Sequence, residues 1–223
     1  MAIRDPSLGS ALIDAVDLSD SERVEGLMRR CPRLSVEQGG TLRPAEIADA
    51  ALVVVDEGIV VLRKVDEDRG RGVVICHAGT AALLLPPDVD EVFQALSDVR
   101  LTAIPVEIRD ELLEIPAAAR VLLEGVAATL RQKLRSLAMM ASLHHVDRVR
   151  AKLTELARDY GRVGPDGIRL DFPITHDLLG EMIGSSRETV TRSLDELQRE
   201  GFVIRQGRSY LLHVPPQELR DAR

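Results

Sequence analysis

Side chains that could hydrogen-bond to DNA bases are concentrated between residues 186 and 192. The guanidinium groups of Arg187 and Arg192 match the O6 and N7 acceptors of guanine, and Glu188 could accept a hydrogen bond from the N4 amino group of cytosine. Hydroxyls and arginines nearby could bind phosphates. The full set of predicted contact residues is Ser186, Arg187, Glu188, Thr191, Arg192, Arg199, Arg205 and Arg208.

Two short amphipathic helices would position these side chains. Apolar residues recur at helical spacing before and after Gly184, at Leu178, Leu179, Met182 and Ile183 and then at Val190, Leu194 and Leu197. Gly184 suits a left-handed helix end, and Ser185 followed by Glu188 predicts a capping box that starts the second helix. The pattern therefore predicts a helix-turn-helix with one exposed side on its second helix.

A β-hairpin is predicted after the second helix. Residues 202–205 and 210–214 favour strands, and the turn residues between them contain Gly207. Two helices followed by such a wing are typical of DNA binding. Two alternatives remain open, namely a plain helical hairpin whose charges are solvated and a helix-turn-helix that binds another protein.

Residues 184–201, GSSRETVTRSLDELQREG, resemble the DNA-binding domain of the Crp/Fnr family of bacterial transcription regulators. The resemblance implies that Arg187, Glu188 and Arg192 contact bases of a two-fold-symmetric operator whose half-site resembles TGTGA. It also implies a homodimer, and RNA polymerase is a further candidate partner.

A long helix is predicted over residues 116–145, which contain good helix formers and a single glycine, Gly125. Apolar residues alternate along it at spacings of four and three, which is typical of a coiled-coil seam. The seam is the predicted dimer interface and consists of Leu123, Ala127, Leu130, Leu134, Leu137 and Ala141. The alternative is that this stripe packs on the N-terminal part of the same chain.

The N-terminal part alternates short apolar runs with turn residues, at 51–55, 59–65, 72–77 and 99–104, with helical segments at about 8–30 and 105–114. This pattern predicts an antiparallel, jelly-roll-like β-roll. The expected fold class is therefore α+β. Three parts are expected: a β-roll of sensor type (1–115), a dimerisation helix (116–145) and a winged helix-turn-helix domain (146–223).

The expected sensor domain departs from the cyclic-nucleotide-binding members of the family that it resembles. Those members carry Gly-Glu-Leu and, further on, Arg-Ser/Thr-Ala, whereas residues 79–87 read GTAALLLPP without glutamate or arginine. We therefore expect no response to cyclic AMP in the usual way, and leucines 83–85 are expected to line a dry core.

No cofactor is predicted, but haem or an unidentified small effector stays open. Cys76 and His77 are candidate ligands of haem or a soft metal. However, neighbouring strand residues point to opposite faces. The two cysteines are too few for the four-cysteine iron–sulfur cluster of Fnr-type members.

Charge and composition limit the partners further. Residues 147–223 hold 13 basic and 13 acidic side chains, so the net charge of −7 lies in residues 1–146. A neutral DNA-binding region predicts dependence on a specific double-stranded site. Three Phe, two Tyr and no Trp disfavour single-stranded nucleic acid. We expect a cytoplasmic protein without a membrane partner, and we find no residue set typical of an enzyme.

Overall fold

The computed structural model describes residues 12, 16–66, 71–142 and 144–213. The chain divides into two compact units, one of residues 1–70 and 75–133 and the other of residues 71–74 and 134–223. Of the helices within the described ranges, none combines the length and the hydropathy that crossing a bilayer requires.

The first unit is built around two antiparallel four-stranded sheets. Helix α1 (Leu18–Arg30) precedes the strands, and a 3-10 turn (Pro44–Ile47) lies between the second and third. The strands are β1 (Arg33–Val36), β2 (Thr41–Leu42), β3 (Ala50–Glu57), β4 (Val60–Asp66), β5 (Arg71–Ala78), β6 (Leu83–Leu84), β7 (Glu91–Ala95) and β8 (Val99–Pro105). Their orders are β1-β8-β3-β6 and β2-β7-β4-β5.

Strand β3 is buried on both faces and separates two apolar cores. Val53 and Val55 belong to the core that also holds Phe93 and Leu101, whereas Leu52 and Val54 face the core that the helices cover. Alternation with a period of two places successive side chains on opposite faces. The predicted antiparallel β-roll is confirmed.

Helix α2 (Val106–Leu113) is followed by the long helix α3 (Pro116–Ser142). Ala118 and Leu122 of α3 are buried in the helix-covered core. Gly125 allows a close approach to β6, since a Cβ atom added there would lie 3.0 Å from the Cβ of Leu83. The hydroxyl of Thr129 donates a 2.7 Å hydrogen bond to the carbonyl of Leu83.

The seam residues lie on the side of α3 that this packing leaves uncovered. Leu123, Leu130, Leu134 and Leu137 are 69%, 56%, 55% and 62% exposed. Ala141 is also exposed, and Ala127 is half-buried. The intramolecular contact therefore uses Ala118, Leu122 and Gly125, and the row of seam leucines is free in a single chain.

The second unit contains helix α4 (His145–Tyr160) and a four-stranded antiparallel sheet of β9 (Arg162–Gly164), β10 (Gly167–Leu170), β11 (Val203–Gln206) and β12 (Ser209–Leu212), in the order β11-β12-β10-β9. Between β10 and β11 lie helices α5 (His176–Ile183) and α6 (Arg187–Arg199). Strands β11 and β12 form the predicted wing, and residue 214 of the predicted strand lies outside the described residues. With these elements the predicted α+β fold class is confirmed.

Candidate nucleic-acid interface

The first helix of the helix-turn-helix, α5, has a hydrogen-bonded cap at its start and a left-handed residue at its end. The Thr175 hydroxyl accepts a hydrogen bond from the backbone N–H of Leu178 at 3.1 Å. Gly184 has φ 64° and ψ 42°, as predicted from its residue type. This end turns the chain sharply before the second helix.

The turn is also closed by Gly180, which contacts the residue after the turn. A Cβ atom added to Gly180 would lie 2.6 Å from the carbonyl oxygen of Ser185, a backbone atom that cannot move independently. Only a glycine fits here without displacing the turn.

We expect Gly180→Ala to lower the free energy of unfolding by about 1–3 kcal/mol because of this overlap. Urea denaturation followed by circular dichroism measures the loss. Gly164→Ala is the matched control, since the nearest atom to its added Cβ is 3.7 Å away and φ is not left-handed. A loss in Gly180→Ala no larger than in the control contradicts the steric account.

The second helix, α6, begins one residue later than the capping box predicted. Ser186, not Ser185, is the N-cap, and its hydroxyl accepts from the backbone N–H of Thr189 at 3.2 Å. The spacing to Glu188 favoured Ser185, so the capping-box prediction is wrong by one residue. The Ser186 hydroxyl, a predicted DNA contact, thus accepts a hydrogen bond within the protein.

The predicted base-reading residues lie on the exposed side of α6. Arg187, Glu188 and Arg192 are exposed, while the opposite side is buried through Val190, Ser193, Leu194 and Leu197. Arg199 is exposed too, but twelve residues of helix place it about 18 Å from Arg187. The structure therefore groups Arg187, Glu188 and Arg192 at the N-terminal end and leaves Arg199 apart.

Thr191, another predicted contact residue, is half-buried and hydrogen-bonded within the protein. Its hydroxyl donates to the carbonyl of Arg187 at 2.9 Å. It also lies 2.8 Å from Nδ1 of His176. The hydroxyl thus ties the start of α5 to the start of α6.

The wing carries the last two predicted residues, Arg205 and Arg208, and both are exposed. Arg205 Nε donates to the carbonyl of Gly207 at 2.9 Å, and Gly207 has the left-handed φ of 65° that the turn requires. The Arg208 carbonyl accepts a 3.1 Å hydrogen bond from the N–H of Ile174, just before α5. The wing tip is thereby attached to the chain that leads into the first helix.

Helix α4 makes contacts that stabilise the helix-turn-helix and that the residue pattern did not predict. His145 Nδ1 lies 2.7 Å from the hydroxyl of Ser185 in the turn. Arg150 forms an ion pair with Glu200, and its guanidinium carbon lies 4.6 Å from the ring centroid of Phe202. The only sequence signal was the position of His145 at a predicted helix boundary.

Comparisons with known proteins agree with this geometry. Residues 147–222 match the family described as the Crp-like helix-turn-helix domain. We refer to residues 147–222 as the Crp-like domain after this match. The predicted resemblance to the Crp/Fnr family is thereby confirmed.

Three similar proteins illustrate the extent of the likeness. The global nitrogen regulator of Synechococcus elongatus is 32% identical over 128 residues, 56% of this chain and 58% of that protein. The global nitrogen regulator of Synechocystis is 36% identical over 111 residues, 49% of each chain. The chain thus spans about half the length of the curated relatives it matches. These relatives are regulators rather than enzymes.

The third, a solved Crp/Fnr-family transcriptional regulator from Thermus thermophilus, has the same fold. It superposes with a TM-score of 0.68 over 85% of this chain and 97% of that chain, at 24% sequence identity. At this identity the likeness concerns the fold.

His176 of the Crp-like domain is a partly buried histidine beside the predicted interface. Burial, with smaller effects of Arg205 and Arg187, lowers the pKa of His176 below its ordinary value of 6.5. Its Nε2 is enclosed, without a hydrogen-bond partner among the residues that the structure describes. The neutral ring, with Nδ1–H donating to Thr191, fits these surroundings best.

We expect this depressed pKa to make the Crp-like domain less stable in mild acid. The unfolded chain binds a proton at His176 more readily than the folded one, so stability is complete above about pH 6.5 and falls as the pH drops below it. His176→Asn keeps a donor near Thr191 but does not titrate. Melting temperatures at pH 7.5 and 5.5 should fall more in the wild type than in the variant; equal falls contradict the account.

In the first unit, Cys76 and His77 lie next to each other on β5 but have different surroundings. Cys76 belongs to the core between the sheets, and burial raises the pKa of its thiol to about 11. His77 is 3% exposed, and Gln132 Nε2 lies 3.2 Å from its Nδ1. A metal or haem iron binds the thiolate, which this burial disfavours.

The leucines at 83–85 do not all line a dry core. Leu83 and Leu84 are 1% and 3% exposed and pair with β3. Leu85 is 62% exposed, so the prediction is wrong for this residue. Strand β6 ends at Leu84, and the prolines at 86 and 87 lead the chain away from the sheet.

Proposed function

We propose that the protein is a transcription regulator that binds double-stranded DNA through its Crp-like domain. The observation that carries the proposal is the grouping of Arg187, Glu188 and Arg192 on the exposed N-terminal end of α6. The N-terminal end of a recognition helix enters the major groove, where these side chains match base edges. Arg205 and Arg208 on the wing are exposed, and we propose that they contact phosphates. RNA polymerase is the further partner that this function implies.

The proposed active form is a homodimer through α3. The supporting observation is the row of exposed leucines, since four of them at 55–69% exposure would be solvated in an isolated chain. A parallel pair of such helices supplies a two-fold axis. Two recognition helices related by that axis would contact half-sites one DNA turn apart, on the order of 34 Å.

Recognition is proposed to depend on sequence rather than on bulk charge. The region from residue 147 onward is electrically neutral, with 13 basic and 13 acidic side chains. Non-specific binding relies on neutralised phosphates and is therefore expected to be weak. The change from glutamate and arginine to apolar residues at 79–87 further supports DNA binding without cyclic AMP.

A gel-shift assay with purified protein and fragments of the source genome tests the proposal. A discrete subset of fragments should shift in excess competitor DNA, with no need for added cyclic AMP. If no fragment shifts specifically, with or without cell extract, DNA binding as the function is contradicted. A shift that appears only with cyclic AMP contradicts the proposal that binding needs no cyclic AMP, but it leaves DNA binding as the function.

A further inference from the structure

Arg187, the first residue of the proposed recognition helix, is held by the first turn of α5 from two directions. Its guanidinium Nη1 lies 3.8 Å from the carboxylate Oδ2 of Asp177. Its carbonyl accepts from Thr191, whose hydroxyl contacts His176. Neighbouring residues of α5 therefore contact both the side chain and, through Thr191, the backbone of Arg187.

The ion pair contributes little to folding. Asp177 and Arg187 are 64% and 65% exposed, and ion pairs at such exposure are screened by solvent. A carboxylate in the first turn of α5 interacts favourably with the helix dipole, but an asparagine or serine suits that end as well. The stability of the fold therefore does not explain why an aspartate, Asp177, lies beside Arg187.

The Asp177 carboxylate is expected to affect DNA binding more than it affects folding. A DNA duplex carries one negative charge about every 1.7 Å along its axis, so a carboxylate close to it opposes binding to any sequence. Asp177 also offsets the charge of Arg187 before DNA is bound. The repulsion acts at every site. However, the guanidinium has five N–H donors, so Arg187 can stay beside Asp177, which orients it, while other N–H groups bind O6 and N7 of guanine. Only a site with guanine therefore regains, through this orientation, part of the affinity that the repulsion costs.

We propose that Asp177 is a specificity-determining residue that orients Arg187 and penalises DNA lacking a guanine opposite it. This inference rests on the proposed function of the Crp-like domain. Asp177 is not proposed to contact a base. It acts on Arg187 and on the phosphate backbone.

The test compares Asp177→Asn with the wild type on two duplexes, the cognate operator and one of random sequence. Asparagine keeps the shape and removes the charge. Fluorescence anisotropy at two salt concentrations should show random DNA bound about three- to tenfold more tightly by the variant, and the operator by less. The dissociation constant for random DNA divided by that for the operator then falls. In Asp177→Glu, which keeps the charge, this ratio should return towards the wild-type value.

Asp171→Asn is the matched control. Asp171 is another exposed aspartate of the same unit, and its oxygens lie 3.8 and 3.9 Å from Arg162 and Arg169. It pairs with no residue of α6 in the described part of the chain. Its removal should change the affinity for both duplexes equally and by less.

Two results separate the possible failures. If the wild type selects an operator but Asp177→Asn keeps the wild-type ratio, or changes it no more than Asp171→Asn, the role of Asp177 is overturned and the proposed function stands. If the wild type selects no DNA sequence, both proposals fall. Melting curves of each variant check that the fold is kept.

Discussion

Replacing Arg187 by alanine is expected to weaken binding to the cognate operator by about 1–3 kcal/mol per half-site and to relax discrimination at one base pair. Arg187 is the first residue of α6, it is exposed, and its guanidinium forms a weak pair with Asp177. A bidentate contact to guanine would be lost with nothing to replace it. Anisotropy titrations on the operator and on its single-base variants measure both effects.

Arg208→Ala is the control for this prediction. Arg208 lies on the wing and is expected to contact phosphate. Its loss should weaken binding to every duplex similarly and lower the slope of log affinity against log salt concentration by about one per half-site. If Arg187→Ala and Arg208→Ala lower the affinity for operator and random DNA by the same factors, direct base reading by Arg187 is contradicted.

Replacing Leu134 by glutamate is expected to convert a dimer into monomers. Leu134 is at the centre of the exposed row on α3, so in a symmetric dimer the change would bury two unpaired carboxylates close together. Light scattering after size-exclusion chromatography measures the molar mass. Operator affinity should fall by about a hundredfold or more, because a monomer binds only one half-site at a time.

Ala128→Glu is the matched control on the same helix. Ala128 is exposed but lies off the predicted seam. It should leave the molar mass and the operator affinity near wild-type values. A wild-type protein that is monomeric at micromolar concentration, or a Leu134→Glu variant that stays dimeric, contradicts the proposed interface.

The helix-turn-helix could be predicted because its signals are local. Helical spacing of apolar residues, a glycine at the turn and an exposed face define both helices within thirty residues or so. The left-handed Gly184 follows from residue type alone. The N-cap of the second helix was misplaced by one residue, because the spacing to Glu188 favoured Ser185 and either serine can cap a helix.

The strands could be predicted where alternation or apolar runs were long. Strand β3 extends the predicted run at 51–55 by one residue before it and two after it. The short strands β1, β2 and β6 have two to four residues, too few for a period to be recognised. The β9–β10 hairpin lies in a stretch rich in glycine and charge that favours a loop by composition.

The contacts around Arg187 could not be predicted, because they depend on how two helices cross. Nothing in the order of Thr175, His176 and Asp177 shows that His176 and Asp177 contact residues at the start of α6. The sharp turn at Gly184 and the missing Cβ of Gly180 bring them there. Polar residues at the start of a helix are ordinarily interpreted as caps, and Thr175 alone has that role.

Selection from a random duplex DNA library by the purified full-length protein tests the central claim most directly. We predict enrichment of a sequence with two inverted half-sites whose centres are about 10–10.5 base pairs apart. Each half-site should contain a guanine that becomes dispensable in Arg187→Ala. Enrichment of no sequence, or of a single unpaired half-site bound by a monomer, would contradict it.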